Sequence, residues 1–131
     1  MPYDLNPEQS KSILTLDSEA RSSHCIGRIG DWEELWGVRN DEGWLVPSAP
    51  DELQYFPIWP HPDYAQMTAD TRFPGHVPER IILDDFMNNW LLRLKEDGVK
   101  VGVFPNMEWM MWIMEPEDLL SSLEEEVAQY E

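Results

Sequence analysis

Few side chains in this sequence could do chemistry, and they are scattered. His61, Asp63 and His76 offer imidazole and carboxylate, donors that suit Zn²⁺ or another transition metal. Two His and one Asp without a recognised ligand spacing do not make a metal site. His61 reads instead as a helix starter and His76 as a loop residue. His24-Cys25 places the only thiol beside an imidazole. Adjacent helix positions point in different directions, so the pair cannot act as base and nucleophile, and a buried, inert Cys25 is expected. Asp84-Asp85 and Glu96-Asp97 could supply acid–base carboxylates. Each has a simpler role: Asp84 as a helix cap, Asp85 as a charge favoured by the helix dipole, and Glu96-Asp97 as a helix end beside Gly98. There is no nucleophile–base pair, phosphate loop or metal spacing, so the reading is non-enzymatic, with no catalytic residue, no metal and no cofactor.

Carboxylate is what the chain has in abundance. The formal net charge is −17 over 131 residues, and it is unevenly placed. Residues 31–60 carry seven acids against Arg39 alone, and residues 101–131 carry eight acids with no Lys or Arg. Concentrated like charge opposes a compact fold and attracts a positive partner. Nucleic acid and anionic lipid would both be repelled. The candidate surface for a basic protein partner is therefore Asp31, Glu33, Glu34, Asp41, Glu42, Glu124, Glu125 and Glu126, with Trp32 and Trp36 as aromatic anchors. The alternative is a small-molecule or metal-binding pocket lined by Trp59, His61, Trp109 and Trp112. The Met-rich run around those last two residues suits either a pliable groove or plain core filling.

These residues must be positioned by one domain spanning 1–131: a tail at 1–6, a helix at 7–30 and an α+β body at 31–131. A chain of this size buries roughly two thirds of its unfolded surface. Hydrophobic residues make up 42%, with seven Trp, enough for a core despite the charge. A single cysteine allows no intramolecular disulfide and fits a reducing cytosol. The first residues, Met1 to Pro7, lack the pattern of a signal peptide, and no apolar stretch is long enough to suggest a membrane span.

Asn6-Pro7-Glu8-Gln9 reads as a helix start, followed by a loose apolar face of Ile13, Leu16, Ala20 and Ile26 and an end at Gly27 and Gly30. Leu35–Arg39 and Trp44–Val46 flank the turn Asn40-Asp41-Glu42-Gly43 and predict a hairpin, ended by Pro47 and Pro50. Tyr55–Trp59 predicts a strand that Pro57 confines to an edge or bulge. A short helix over 62–69 turns Tyr64 and Met67 inward, and a loop covers 71–78. Arg80–Leu83 is a strand, and Asp84 caps a helix with Phe86, Trp90, Leu91 and Leu94 inward. Val99, Val101 and Val103 alternate as in a strand. Trp109–Met114 is apolar without alternation and predicts a central strand covered on both faces. A last helix buries Leu119, Leu120, Leu123 and Val127. The order α-β-β-β-α-β-α-β-β-α gives an α+β class: a single compact domain with a mixed, mostly antiparallel sheet of about six strands and helices packed on it.

The segment Leu35-Trp36-Gly37-Val38-Arg39-Asn40-Asp41-Glu42-Gly43-Trp44 resembles a WGL-x-x-x-EGW motif of the bacterial domain of unknown function 2750 family. Phe56-Pro57-Ile58-Trp59 with Tyr64-Ala65 resembles its P-x-W…YA. Ile82 to Phe86, Trp90-Leu91 and Glu96-Asp97-Gly98-Val99 resemble its I-x-L-x-x-F…WL…EDGV. Glu115 to Leu119 resembles its closing EP-x-x-L. The pieces occur in order across roughly residues 10–125. The chain departs from the pattern at Phe73-Pro74-Gly75-His76 and in the Met- and Trp-rich run 107–114. The resemblance implies a small cytosolic bacterial protein and no assigned reaction. Taken with the charge, the expected function is a non-enzymatic acidic cytoplasmic protein that binds a basic protein, such as a toxin or nucleic-acid-binding protein, as an immunity protein or inhibitor does.

Overall fold

A computed structural model of the chain describes residues 4–47 and 53–129. Pro50, expected to help end the hairpin's second strand, lies outside those residues, as do Asp51 and Glu52 of the first acidic stretch.

The expected helix over 7–30 is two helices, α1 (Pro7–Leu14) and α2 (Ser18–Trp32). Asn6 caps the first by accepting from the Glu8 and Gln9 amides, as its sequence predicts. The break follows from a second cap, because the Asp17 carboxylate accepts from the Ala20 N–H at 2.8 Å and restarts the helix. Gly27 and Gly30 do not end α2 but lie inside it. The helix stops at Glu33, whose φ of 58° is left-handed.

The hairpin forms, with β1 (Glu34–Asn40) and β2 (Gly43–Trp44), but its second strand takes in Gly43 and ends at Trp44, before the expected Leu45 and Val46. After it come β3 (Tyr55–Ile58), α3 (Pro62–Arg72) and β4 (Val77–Ile82). The helix α3 runs one turn further than its expected end, and Tyr64 is buried, but Met67 faces outward at 38% exposure. A helical stretch then passes through α4 (Leu83–Asp85), a π-helical turn (Phe86–Trp90) and α5 (Leu91–Glu96). The wider π turn lets Phe86 and Leu91, five residues apart, both reach the core, and Leu94 follows them. Asp84 is not its cap. Ile82 holds that place without a side-chain bond, and Asp84 accepts from the Asn88 side chain instead. The chain ends in β5 (Lys100–Val103), β6 (Trp112–Met114) and α6 (Pro116–Ala128).

The six strands form two three-stranded sheets, ordered β2-β1-β4 and β3-β5-β6, rather than one. In the first, β1 is central and antiparallel to both neighbours, with Trp36 opposite Arg80. In the second, β3 pairs parallel with β5 and sits at the edge, where Pro57 can lack an N–H without breaking a ladder. Among the described residues one bridge joins the sheets, with Trp36 and Trp59 exchanging backbone bonds of 2.9 and 2.8 Å. Ile29, Leu35, Phe56, Ile58, Phe86, Val101, Val103, Leu119 and Leu123 fill the shared core.

The run 109–114 is not a strand covered on both faces. Only Trp112–Met114 pairs, at the edge beyond β5, and Trp112 and Ile113 are each 41% exposed. Residues 104–111 loop instead, because Phe104 (φ 53°) and Trp109 (φ 65°) turn left-handed. The buried Arg21 guanidinium pins that loop by donating to the carbonyls of Phe104 (2.8 Å) and Met110 (2.6 Å), and it also reaches Leu16 (2.6 Å).

Candidate functional site

The two acidic stretches of sequence meet at one point. A Cβ on Gly30 would stand 2.8 Å from the Glu126 Cβ, so α2 and α6 approach as closely as glycine permits. This joins the C-terminal end of α2, which carries Asp31 and leads to Glu33, to the last turns of α6, which carry Glu124, Glu125 and Glu126. Neither helix has a basic residue in its last turn, so two C-terminal dipole ends add to the negative charge. Among the described residues these five carboxylates make no ion pair. Trp32, 42% exposed, stands between Asp31 and Glu33.

The other candidate acids are elsewhere. Glu34 is buried, with Oε1 3.5 Å from the Arg80 guanidinium. Trp36 is half-buried against the core. Asp41 and Glu42 form the hairpin turn at the opposite end of β1, roughly 20 Å away along a seven-residue strand. Further acids are neutralised locally: Glu79 by Arg39 at 3.1 Å, Glu117 by Lys95 at 2.8 Å, and Glu115 by Lys100.

Of the proposed pocket residues, Trp59 and Trp109 pack together, His61 is buried against Tyr64, and Trp112 is exposed on β6. The Trp59 Nε1–H donates to the Pro105 carbonyl at 3.0 Å. The Trp109 Nε1–H donates to the Tyr55 hydroxyl at 2.6 Å, and its ring lies between Phe73 (5.1 Å) and Trp59 (6.5 Å). Arg72 covers Trp109 and donates to the Met107 carbonyl at 3.1 Å. His61 caps α3, its Nδ1 accepting from the Asp63 N–H. His76 is occupied at Phe73. Among the described residues no three His, Cys, Asp or Glu side chains come together as metal ligands. Cys25 is fully buried, and burial pushes its thiol up, away from thiolate character. Burial, helped by the charge of Arg28, holds neighbouring His24 below its ordinary value.

The open space lies at a second aromatic cluster that sequence reasoning treated only as strand and helix core. Trp44 meets Trp90 edge-on (5.0 Å, 90°) and Phe56 at 5.8 Å, and Phe56 meets Trp90 at 5.3 Å. Gly37 sits beneath, where a Cβ would press on the rings of Trp44 (3.0 Å) and Phe56 (3.2 Å). A cleft of about 650 Å³ opens over these rings, bounded by Val46 on one side and Asn89, Leu92, Arg93, Glu96 and Asp97 on the other. The carboxylates of Glu96 and Asp97 thus edge an aromatic floor as well as ending a helix. A chain-order signal for this was faint, since the three rings lie on β2, β3 and the π turn.

A family model described as Protein of unknown function (DUF2750) matches residues 22–123. The chain belongs to that family. No curated protein and no solved structure gives a significant match. The matched span includes the hairpin, both aromatic clusters and the first two turns of α6, and it stops just before Glu124.

Proposed function

As a member of that family, the protein is one that we propose to be a non-enzymatic, cytoplasmic binding protein that holds a basic protein through its acidic end, in the manner of an immunity protein or inhibitor. The observation that carries the reading is the contact of Gly30 with Glu126. It joins the helix ends that carry Asp31 and Glu33 of one acidic stretch and Glu124, Glu125 and Glu126 of the other, five carboxylates outside any ion pair among the described residues. Were acidity only for solubility, the interspersed pairing seen at Glu79, Glu115 and Glu117 would serve everywhere. Such an end speeds association with a cationic partner by about 10–1000-fold, and salt weakens the effect. The absence of any helix, among the described residues, long and apolar enough to cross a membrane is compatible with this reading.

The test compares two sets of neutral variants in capture from the native lysate at low and high salt. Asp31→Asn, Glu33→Gln, Glu124→Gln, Glu125→Gln and Glu126→Gln together should abolish retention of a basic protein. Asp41→Asn with Glu42→Gln should not. Equal loss in both sets, or retention that ignores salt, would sink the assignment of the acidic end. A second reading, a small-molecule module, has the Trp44–Trp90 cleft in its favour.

A further inference from the structure

We infer that the cleft over Trp44, Phe56 and Trp90 binds an organic cation of the alkylammonium class. The inference goes beyond the acidic-end reading, with which it shares no residue. The cleft volume of about 650 Å³ lies within the roughly 300–1,000 Å³ usual for small-ligand sites. Its floor is the half-buried rings of Trp44 and Trp90, set at 90° to each other over the buried Phe56, so the space meets a ring face and a ring edge. Ring faces are electron-rich and attract a cation that has shed part of its water, as an alkylated ammonium does readily. The Trp44 ring already carries a cation on one side, the Arg39 guanidinium 5.4 Å from its centroid.

The rim chooses the sign of the ligand. Glu96 and Asp97 are exposed at the cleft edge and make no ion pair among the described residues, since neighbouring Lys95 is taken by Glu117. Asn89 donates its amide N–H to Asp85 at 2.7 Å, which leaves its carbonyl oxygen as an acceptor. Among the described residues that line the cleft, Arg93 is the one that competes with a cation. The rim is therefore net negative on a chain of net charge −17, a field that draws in cations and turns away phosphates and carboxylates. An aromatic floor with a carboxylate edge is the chemistry of ammonium recognition.

The experiment is calorimetric titration of the intact protein with choline and with 3,3-dimethylbutan-1-ol, its uncharged carbon isostere. Choline should bind at least about fivefold more tightly, the gain expected of a partly desolvated cation over aromatic rings. Glu96→Gln with Asp97→Asn should weaken choline about three- to tenfold and leave the alcohol unchanged, and Arg93→Gln should strengthen choline. Asp31→Asn with Glu33→Gln removes the same charge from the far end of β1 and should change little. A peptide with one trimethyl-lysine separates the sources: tighter binding than choline assigns a protein side chain, weaker binding a free amine. Equal affinity for alcohol and choline, no heat with choline, or equal weakening by the distant pair overturns the proposal.

Discussion

Trp44, Phe56 and Trp90 form one aromatic cluster, and Tyr55, Trp59, Phe73 and Trp109 form another, from the same kinds of part. Each has an arginine over an indole, Arg39 over Trp44 and Arg72 over Trp109. Each rests on a glycine, Gly37 beneath Trp44 and Gly102 beside Tyr55. The cleft of about 650 Å³ opens over the first. The difference lies in the segment 104–110. It crosses the second cluster, gives its Pro105 carbonyl to Trp59, and is drawn down by Arg21 and Arg72. Two left-handed non-glycine residues in that loop each cost about 1 kcal/mol, which the buried guanidinium bonds offset. Over the first cluster, Trp90 sends its indole N–H to Asp85, and the half-buried rings of Trp44 and Trp90 line the cleft. Aromatic content alone thus does not mark a pocket; what the neighbouring backbone does with it decides.

Arg21→Met should break the comparison most severely. It leaves the buried carbonyl of Phe104, and that of Met110, without their donor, and a loss of about 2–4 kcal/mol in urea unfolding is expected. A loss under about 1 kcal/mol would mean that the loop holds itself shut. Next comes Trp59→Phe, which removes packing and the bond to Pro105 and should cost about 2 kcal/mol. Trp44→Phe, on the open cluster, should cost under about 1 kcal/mol. Equal losses would make the clusters equivalent. The glycines sharpen the contrast further. Gly37→Ala presses on two packed rings and should cost about 1.5 kcal/mol while narrowing the cleft; Gly102→Ala meets the adaptable Met111 first and should cost about 1 kcal/mol.

Local signals in the sequence placed the hairpin, the Asn6 cap, the edge position of Pro57 and the stop at Gly98 correctly, because each rests on the chemistry of one or two residues. The division of the six strands into two sheets was not legible, because it depends on pairings between distant segments, β1 with β4 and β3 with β5. The break before α2 escaped notice because Asp17, a capping type, stood within an apolar periodicity. The acidic set was legible as residue types but not as one surface. Its members separate because Glu34 turns into the core while Gly30 pulls Glu126 toward Asp31. The cleft was hidden for a related reason, since its aromatic floor comes from three elements and its rim from a helix end.

The smallest expected effect is that of pH at the start of the 104–110 loop, where His24 packs on Phe104 at 6.4 Å. Burial first, then Arg28, keeps the folded imidazole below its ordinary value of 6.5. The unfolded chain takes up the proton first as pH falls. Stability from this group is therefore present above pH 6.5 and lost as pH drops through the depressed folded value. His24→Gln should flatten that part of a stability–pH curve, and an unchanged slope would exclude His24 as its source.

The most direct test of the contrast between the clusters is to follow the seven Trp indole N–H signals by NMR during a choline titration. The resonances of Trp44 and Trp90 should move in a saturable way, while those of Trp59 and Trp109, bonded to Pro105 and Tyr55, stay still. Saturable shifts at Trp59 and Trp109, or none at Trp44 and Trp90, would contradict the account.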